Sequence, residues 1–201
     1  MNATTTSRTG ASCGALFAIV LFVAAGDGSE SYLAPRAVAG LAALALFIPF
    51  LAYVCSLLRA AEGPNGWLAP TALAGGVTGI TLKIVSTIPD LALHRARVAD
   101  GTELHRLGES LSGGATVIAL FPLAVFCAAT AAVAFRTSVL PTWLAGFAAL
   151  TAGALAVNGA FLEASFVPGL LLFIAWTLAA SVHLLVRARR RPATAPRTVA
   201  A

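Results

Sequence analysis

Residues 111–135 read LSGGATVIALFPLAVFCAATAAVAF, and this stretch decides the fold. It carries no charged side chain and is longer than the roughly 20 residues an α-helix needs to cross the hydrocarbon core of a bilayer. Working outward, similar runs occupy Ala11 to Ala25, Ala37 to Leu58, Trp67 to Leu93, Trp143 to Leu162 and Phe166 to Val186. All but the first are long enough for one helix with modest tilt. The chain is 201 residues long, 59% hydrophobic and only 10% charged, with a mean hydropathy of +0.89, whereas a soluble domain carries about 25% charged residues. That balance excludes an ordinary soluble domain and leaves no length for a separate catalytic one. The expected fold is all-α: a polytopic membrane helix bundle of six transmembrane helices. Residues 11–186 form the transmembrane domain, 1–10 an N-terminal tail and 187–201 a basic, disordered cytoplasmic tail.

Prolines support these boundaries. Pro35 and Pro141 precede helix starts, and Pro70 and Pro168 fall in first turns, where no intrahelical N–H bond is lost. Pro49 and Pro122 sit in mid-run, where a kink is expected. The first run is short and follows Arg8, so a signal peptide cleaved after Val23-Ala24-Ala25 is the alternative to a retained helix.

The net charge of +5 does not point to nucleic acid, because five of the thirteen basic residues cluster at the end of the chain: Arg187, Arg189, Arg190, Arg191 and Arg197. Beside an apolar run such a cluster marks the cytoplasmic side and meets anionic headgroups at about 1 kcal/mol per charge. With both termini cytoplasmic, the inner segments hold Arg8, Arg59, Arg136 and the tail arginines, against Arg36, Arg95, Arg97 and Arg106 outside. Trp67 and Trp143 then lie at the cytoplasmic interface. Arginine outnumbers lysine twelve to one, which with abundant alanine and glycine suggests a GC-rich bacterial genome and a plasma-membrane location.

The second and third runs echo the fourth and fifth. Ala45-Leu46-Phe47-Ile48-Pro49, Cys55, Arg59, Pro64 and Trp67-Leu68-Ala69 match Ala119-Leu120-Phe121-Pro122, Cys127, Arg136, Pro141 and Trp143-Leu144-Ala145. A repeated two-helix hairpin and chance matching in an Ala- and Leu-rich chain both fit this pattern. Leu104-His105-Arg106-Leu107-Gly108, the Pro122 helix and Arg136-Thr137-Ser138-Val139-Leu140-Pro141-Thr142-Trp143-Leu144-Ala145 together resemble a group of uncharacterised six-helix membrane proteins from actinobacteria. The likeness is firmest over residues 104–150. It implies six helices and carries over no catalytic role.

Lys83, the only lysine, lies within the third run, about 10 Å short of an outer end marked by Pro89-Asp90. A lysine at a span's centre costs about 2.5–3.5 kcal/mol on insertion scales, and its side chain leans toward the distant helix N-terminus, so it should face the bundle. Asp90, Glu109, Glu163 and Asn158 lie in the same outer half and complete a candidate polar site. Glu109 or Glu163 is the expected ion-pair partner, because Asp90 is about 10 Å along the same helix. The lysine is then either interhelical glue or a ligand, proton or substrate site. Gly75-x-x-x-Gly79 precedes it and allows close helix approach, within the monomer rather than between copies.

Other constellations fail. His94, Asp100, Glu103, His105 and Glu109 share one outer loop but match no metal-ligand spacing, and His94 and His183 lie about a membrane thickness apart, too far to share a haem. Gly10-Ala11-Ser12-Cys13-Gly14 fits a hydrolase nucleophile pattern without the strand-turn-helix setting it needs. Ser12 and His183, at similar depth, lack any other feature of a membrane protease. Cys13, Cys55 and Cys127 lie in apolar runs and read as small buried side chains. No metal, cofactor or catalytic residue is expected. The expectation is a non-enzymatic membrane component that binds a protein partner, a second copy or a small ligand, with an outward-facing transporter or intramembrane enzyme site around Lys83 as the alternative.

Overall fold

The computed structural model describes residues 3–24, 33–161 and 168–190. The described chain is helical throughout its elements: α1 (Ala3–Ala24), α2 (Leu33–Glu62), α3 (Leu68–Val85), α4 (Ile88–Arg95), α5 (Glu103–Thr137), α6 (Thr142–Ala160) and α7 (Pro168–Arg190). Five helical stretches are long and apolar enough to cross a membrane: Val38–Glu62, Leu68–Arg95, Glu103–Thr137, Thr142–Ala160 and Pro168–Arg190. They mark a multi-pass membrane protein. α1 adds a sixth rod with a shorter apolar stretch, Arg8–Val23. It starts at Ala3, well before the expected Ala11, so part of the predicted N-terminal tail is helix. At the other end α7 continues through Arg187, Arg189 and Arg190, which delays the predicted tail, and residues from 191 lie outside the described ones.

The six rods form a closed ring in sequence order. α1 packs on α2, α2 on α3, α3 on α5, α5 on α6 and α6 on α7, and α7 returns to α1, while α5 also touches α2. The ring encloses aromatic side chains. Phe47 of α2 stands 4.9 Å from Phe17 of α1, 6.1 Å from Phe126 of α5 and 5.5 Å from Phe173 of α7, centroid to centroid. Trp176 packs edge-on against Phe126 at 5.7 Å and donates its indole N–H to Leu144 O at 3.2 Å, which satisfies the only polar atom of a fully buried side chain. Three buried threonine hydroxyls are satisfied within their own helices, Thr130, Thr151 and Thr177 each donating to the carbonyl four residues earlier at 2.8 Å, whereas the buried Ser181 Oγ has no hydrogen-bond partner among the described residues. The large apolar side chains left exposed, such as Phe22, Phe135 and Leu150, are suited to a lipid surround.

Small residues set the helix separations. A methyl group at Gly75 would come within 2.7 Å of the Pro122 carbonyl oxygen, and one at Gly79 within 2.6 Å of Leu123, so the Gly75-x-x-x-Gly79 pair seats α3 directly on the α5 backbone. Gly76, between them, faces Leu51 of α2. Gly10 and Gly14 do the same for α1, against Tyr53 and against Phe50 and Ser181. The Gly10–Gly14 pentapeptide is therefore a helix-packing face inside α1. α2 and α5 stay α-helical through Pro49 and Pro122.

The two matched hairpins keep register in their second helices and differ in their first. Trp67 and Trp143 are both exposed, and Leu68, Ala69 and Ala72 are buried like Leu144, Ala145 and Ala148. By contrast Phe47 is a core residue, whereas its match Phe121 is exposed and covers Gly159. α5 lies between α3 and α6 and is buried along more of its length than α2.

At 35 residues, α5 rises about 52 Å, roughly 20 Å more than the hydrocarbon core. The excess is at its N-terminus, where α4 packs against it and Leu93 fills the space over Gly108. What reads in sequence as one charged loop is a helical hairpin with a short connection, capped by the Thr102 hydroxyl, which accepts the His105 N–H at 3.2 Å. At the opposite end Glu62 reaches across the α2–α3 turn and accepts the Leu68 and Ala69 N–H groups at 3.0 and 2.8 Å, while Arg187 donates to Val139 O at 2.8 Å and ties α7 to the α5–α6 connection.

Candidate functional site

The third apolar run does not continue to Leu93 as one helix. Pro89 lacks an N–H and its ring would clash with the carbonyl of Val85, and α3 ends at Val85. Ser86 and Thr87 make a tight turn, with N–H bonds to Leu82 O at 2.9 Å and Ile84 O at 3.1 Å, before α4 begins with the proline in its first turn. A helix break leaves carbonyls to be satisfied. Here hydroxyls take them: Ser86 Oγ donates to Lys83 O at 2.8 Å and Thr87 Oγ1 to Ile84 O at 2.8 Å, while Ser112 Oγ, from α5, stands 2.8 Å from both Ser86 O and Asp90 Oδ2, two acceptors that share its single proton.

Lys83 belongs to the last turn of α3, where the negative end of the helix dipole favours a cation. Its depth follows from the helices themselves. From Trp67 to Lys83 the rise is about 24 Å, and from Thr116 to Arg136 about 30 Å, the thickness of the hydrocarbon core. Counted from Trp67 and Arg136, a hydrocarbon core of that thickness would end beside Lys83 and Thr116, where a lysine's insertion cost is far below that at a span's centre.

Its partner is a hydroxyl. Lys83 Nζ donates to Thr116 Oγ1 at 2.8 Å, and Thr116 Oγ1 lies 3.3 Å from Ser86 Oγ. Among the described residues no carboxylate comes within ion-pair distance of Lys83, so of the two expected glutamate partners Glu109 does not pair with it, and Glu163 lies outside the described residues. Asp90, the acid that sequence spacing disfavours, is joined to the seam, its carboxylate 2.8 Å from Ser112 Oγ and in competition with Ser86 O for that hydroxyl's proton. Lys83, Ser86 and Asp90 from the α3–α4 joint thus meet Ser112 and Thr116 from α5. Ser112 and Thr116 are four residues apart on one helix face. The missed hydroxyls were visible as that spacing in an otherwise apolar run, and as Ser86-Thr87 shortly before a proline.

Glu109 is exposed on the hairpin and faces His105 at 3.4 Å, while Asp100 lies 3.6 Å from the other ring nitrogen of that histidine. No group of three side chains suited to a metal ion occurs among the described residues. Asn158 is buried near the end of α6 and accepts the Gly169 N–H at 3.2 Å, capping the start of α7. The structure thus gives it a structural task on the α6–α7 turn. Glu163 lies outside the described residues.

Comparison with protein-family models, curated proteins and solved structures gave no match. The site therefore stands on its own geometry. Cys55 and Cys127 are buried, Cys13 is half-buried, and all three are free thiols. His183 packs its ring edge-on to Trp143 at 6.5 Å on α7.

Proposed function

We propose that the protein is a non-enzymatic, multi-pass plasma-membrane component, of the kind found in the actinobacterial six-helix group it resembles, that holds a partner or small ligand at its hairpin end through the Lys83 seam. One observation carries this reading. The cation, the acid and three hydroxyls gather where a helix is broken at the membrane boundary, above a ring whose centre is filled by phenylalanine and tryptophan. A transport site is the second reading, supported by the α3–α4 break, because discontinuous helices form many substrate sites. Against it, the Lys83 carbonyl that such a break would offer a substrate already accepts the Ser86 hydroxyl, and the Ser86 carbonyl lies 2.8 Å from Ser112 Oγ.

In the proposed orientation both termini are cytoplasmic and the hairpin faces outward, as the distribution of arginines favours. Single cysteines introduced at positions 100 and 195 of a cysteine-free variant should label from outside and inside respectively, and the reverse pattern would invert the assignment.

Replacing Lys83 with Met removes one hydrogen bond and orphans no paired acid among the described residues. The expected shift in thermal midpoint in detergent is less than about 4 °C, the equivalent of about 1 kcal/mol in a chain of this size. The same variant should fail to complement a deletion strain. A large loss of stability with complementation intact would assign the lysine to structure and remove the binding reading.

A further inference from the structure

The two charges of the seam are held at different depths. Lys83 Nζ is bonded to Thr116 and the Asp90 carboxylate to Ser112, and these hydroxyls are one helical turn apart on α5, about 6 Å along the axis. The cation is the deeper of the two, at the edge of the hydrocarbon, and the exposed acid lies further out. An ammonium has three donors and a carboxylate about four lone-pair sites. Thr116 takes one donor, and Ser112, whose proton Asp90 shares with Ser86 O, fills at most one acceptor site, so both groups keep hydrogen-bonding capacity. A phospholipid with an ethanolamine headgroup carries the complementary order, with phosphate near the hydrocarbon boundary and a primary ammonium farther out. Its phosphate matches Lys83 and its N–H donors match Asp90.

We propose that the Lys83–Thr116–Ser112–Asp90 seam is a binding site for the headgroup of a zwitterionic, primary-amine phospholipid in the leaflet at the hairpin end. This rests on the ligand-binding reading of the seam and names its ligand class. Choline lipids have no ammonium N–H to offer Asp90, and glycerol lipids bring a phosphate with no cation to face it, so both bind more weakly.

Full-length protein, delipidated in detergent and offered equal amounts of phosphatidylethanolamine, phosphatidylcholine and phosphatidylglycerol, should retain phosphatidylethanolamine in native mass spectra. The expected preference over phosphatidylglycerol is at least about tenfold, the scale of one charge-assisted hydrogen bond. Lys83→Met should lower that retention by at least about tenfold, and Asp90→Asn should abolish the preference over phosphatidylcholine while phosphate-dependent retention persists. Glu109→Gln, on the hairpin but outside the seam, should match the wild type. Circular dichroism melts of each variant establish that it is folded.

Equal retention by wild type and Lys83→Met would overturn the proposal. So would a salt-sensitive preference for phosphatidylglycerol, which would reflect the exposed Arg95, Arg97 and Arg106 instead. Displacement by soluble glycerophosphoethanolamine at concentrations matching the lipid would also overturn it, because the ligand would then be a soluble zwitterion. Complementation separates the two levels: a wild type without lipid preference whose Lys83→Met variant still fails to complement refutes the lipid assignment and leaves the binding function standing.

Discussion

Gly75→Ala is expected to destabilise the bundle by about 1–3 kcal/mol, the cost of overpacking, lowering the thermal midpoint by roughly 3–10 °C. The added methyl group would sit 2.7 Å from the Pro122 carbonyl oxygen and 3.0 Å from Phe126 N, and neither can yield, since both are backbone atoms of α5. α3 must move away as a rod, and the displacement carries Lys83 off Thr116. Loss of stability should therefore be accompanied by loss of function, which distinguishes this variant from Lys83→Met. Gly146→Ala and Gly153→Ala are the controls, because nothing lies within 4 Å of either added methyl group. There the helix-propensity gain of up to about 1 kcal/mol is unopposed, and the midpoint should hold or rise. Thermal unfolding of the three variants side by side in one detergent is the measurement, and a neutral Gly75→Ala would show that α3 does not rest on the α5 backbone.

The largest single loss is expected for Trp176→Ala, about 3–5 kcal/mol by comparison with other buried tryptophans. In a membrane bundle this cost comes mainly from packing, since lipid tails solvate an unpacked indole about as well as the core does. The truncation empties the space between Phe126, Phe173 and the α7–α6 interface, and it leaves Leu144 O without the indole N–H. It would also enlarge the small apolar gap that Trp176 shares with Val54, Leu58, Leu140 and Leu184. Trp176→Phe keeps most of the ring contact and loses the hydrogen bond, so the difference between the two variants measures packing against the indole bond. Retention of the wild-type midpoint in Trp176→Ala would mean that the aromatic cluster does not hold the ring closed. His183, about two turns further along α7, is the internal control, since its ring contacts Trp143 at the periphery.

Which residues form helices was legible in the chain because transfer of apolar side chains and satisfaction of backbone N–H and C=O groups are summed over each run locally. The uncharged run at 111–135 and the four long runs around it dictate an all-helical bundle whatever their arrangement. Proline positions were equally local: Pro141 and Pro168 stand at helix starts as read, and Gly75-x-x-x-Gly79 announced a close helix contact. The shortfall was at the ends of the runs. A hydropathy reading stops where charge begins, but α5 continues as helix through Glu103 to Ser110 because Leu93 of α4 covers Gly108, a contact between segments.

The polar residues depended on the third dimension. Their chemistry was visible, for Lys83 and Asp90 stand out in a chain so poor in charge, but sequence depth alone suggested that a lysine would seek a glutamate on another helix. The tertiary structure gave Lys83 a threonine, gave Asp90 a serine, and gave Asn158 a helix to cap. Pairing depends on which faces of α3, α4 and α5 turn toward one another, and that is set by the glycines that bring α3 onto α5 and by the break before Pro89. Helix formation follows from each segment's own composition. Partner choice follows from the closing of the ring, where contacts within a few ångströms join residues about thirty positions apart.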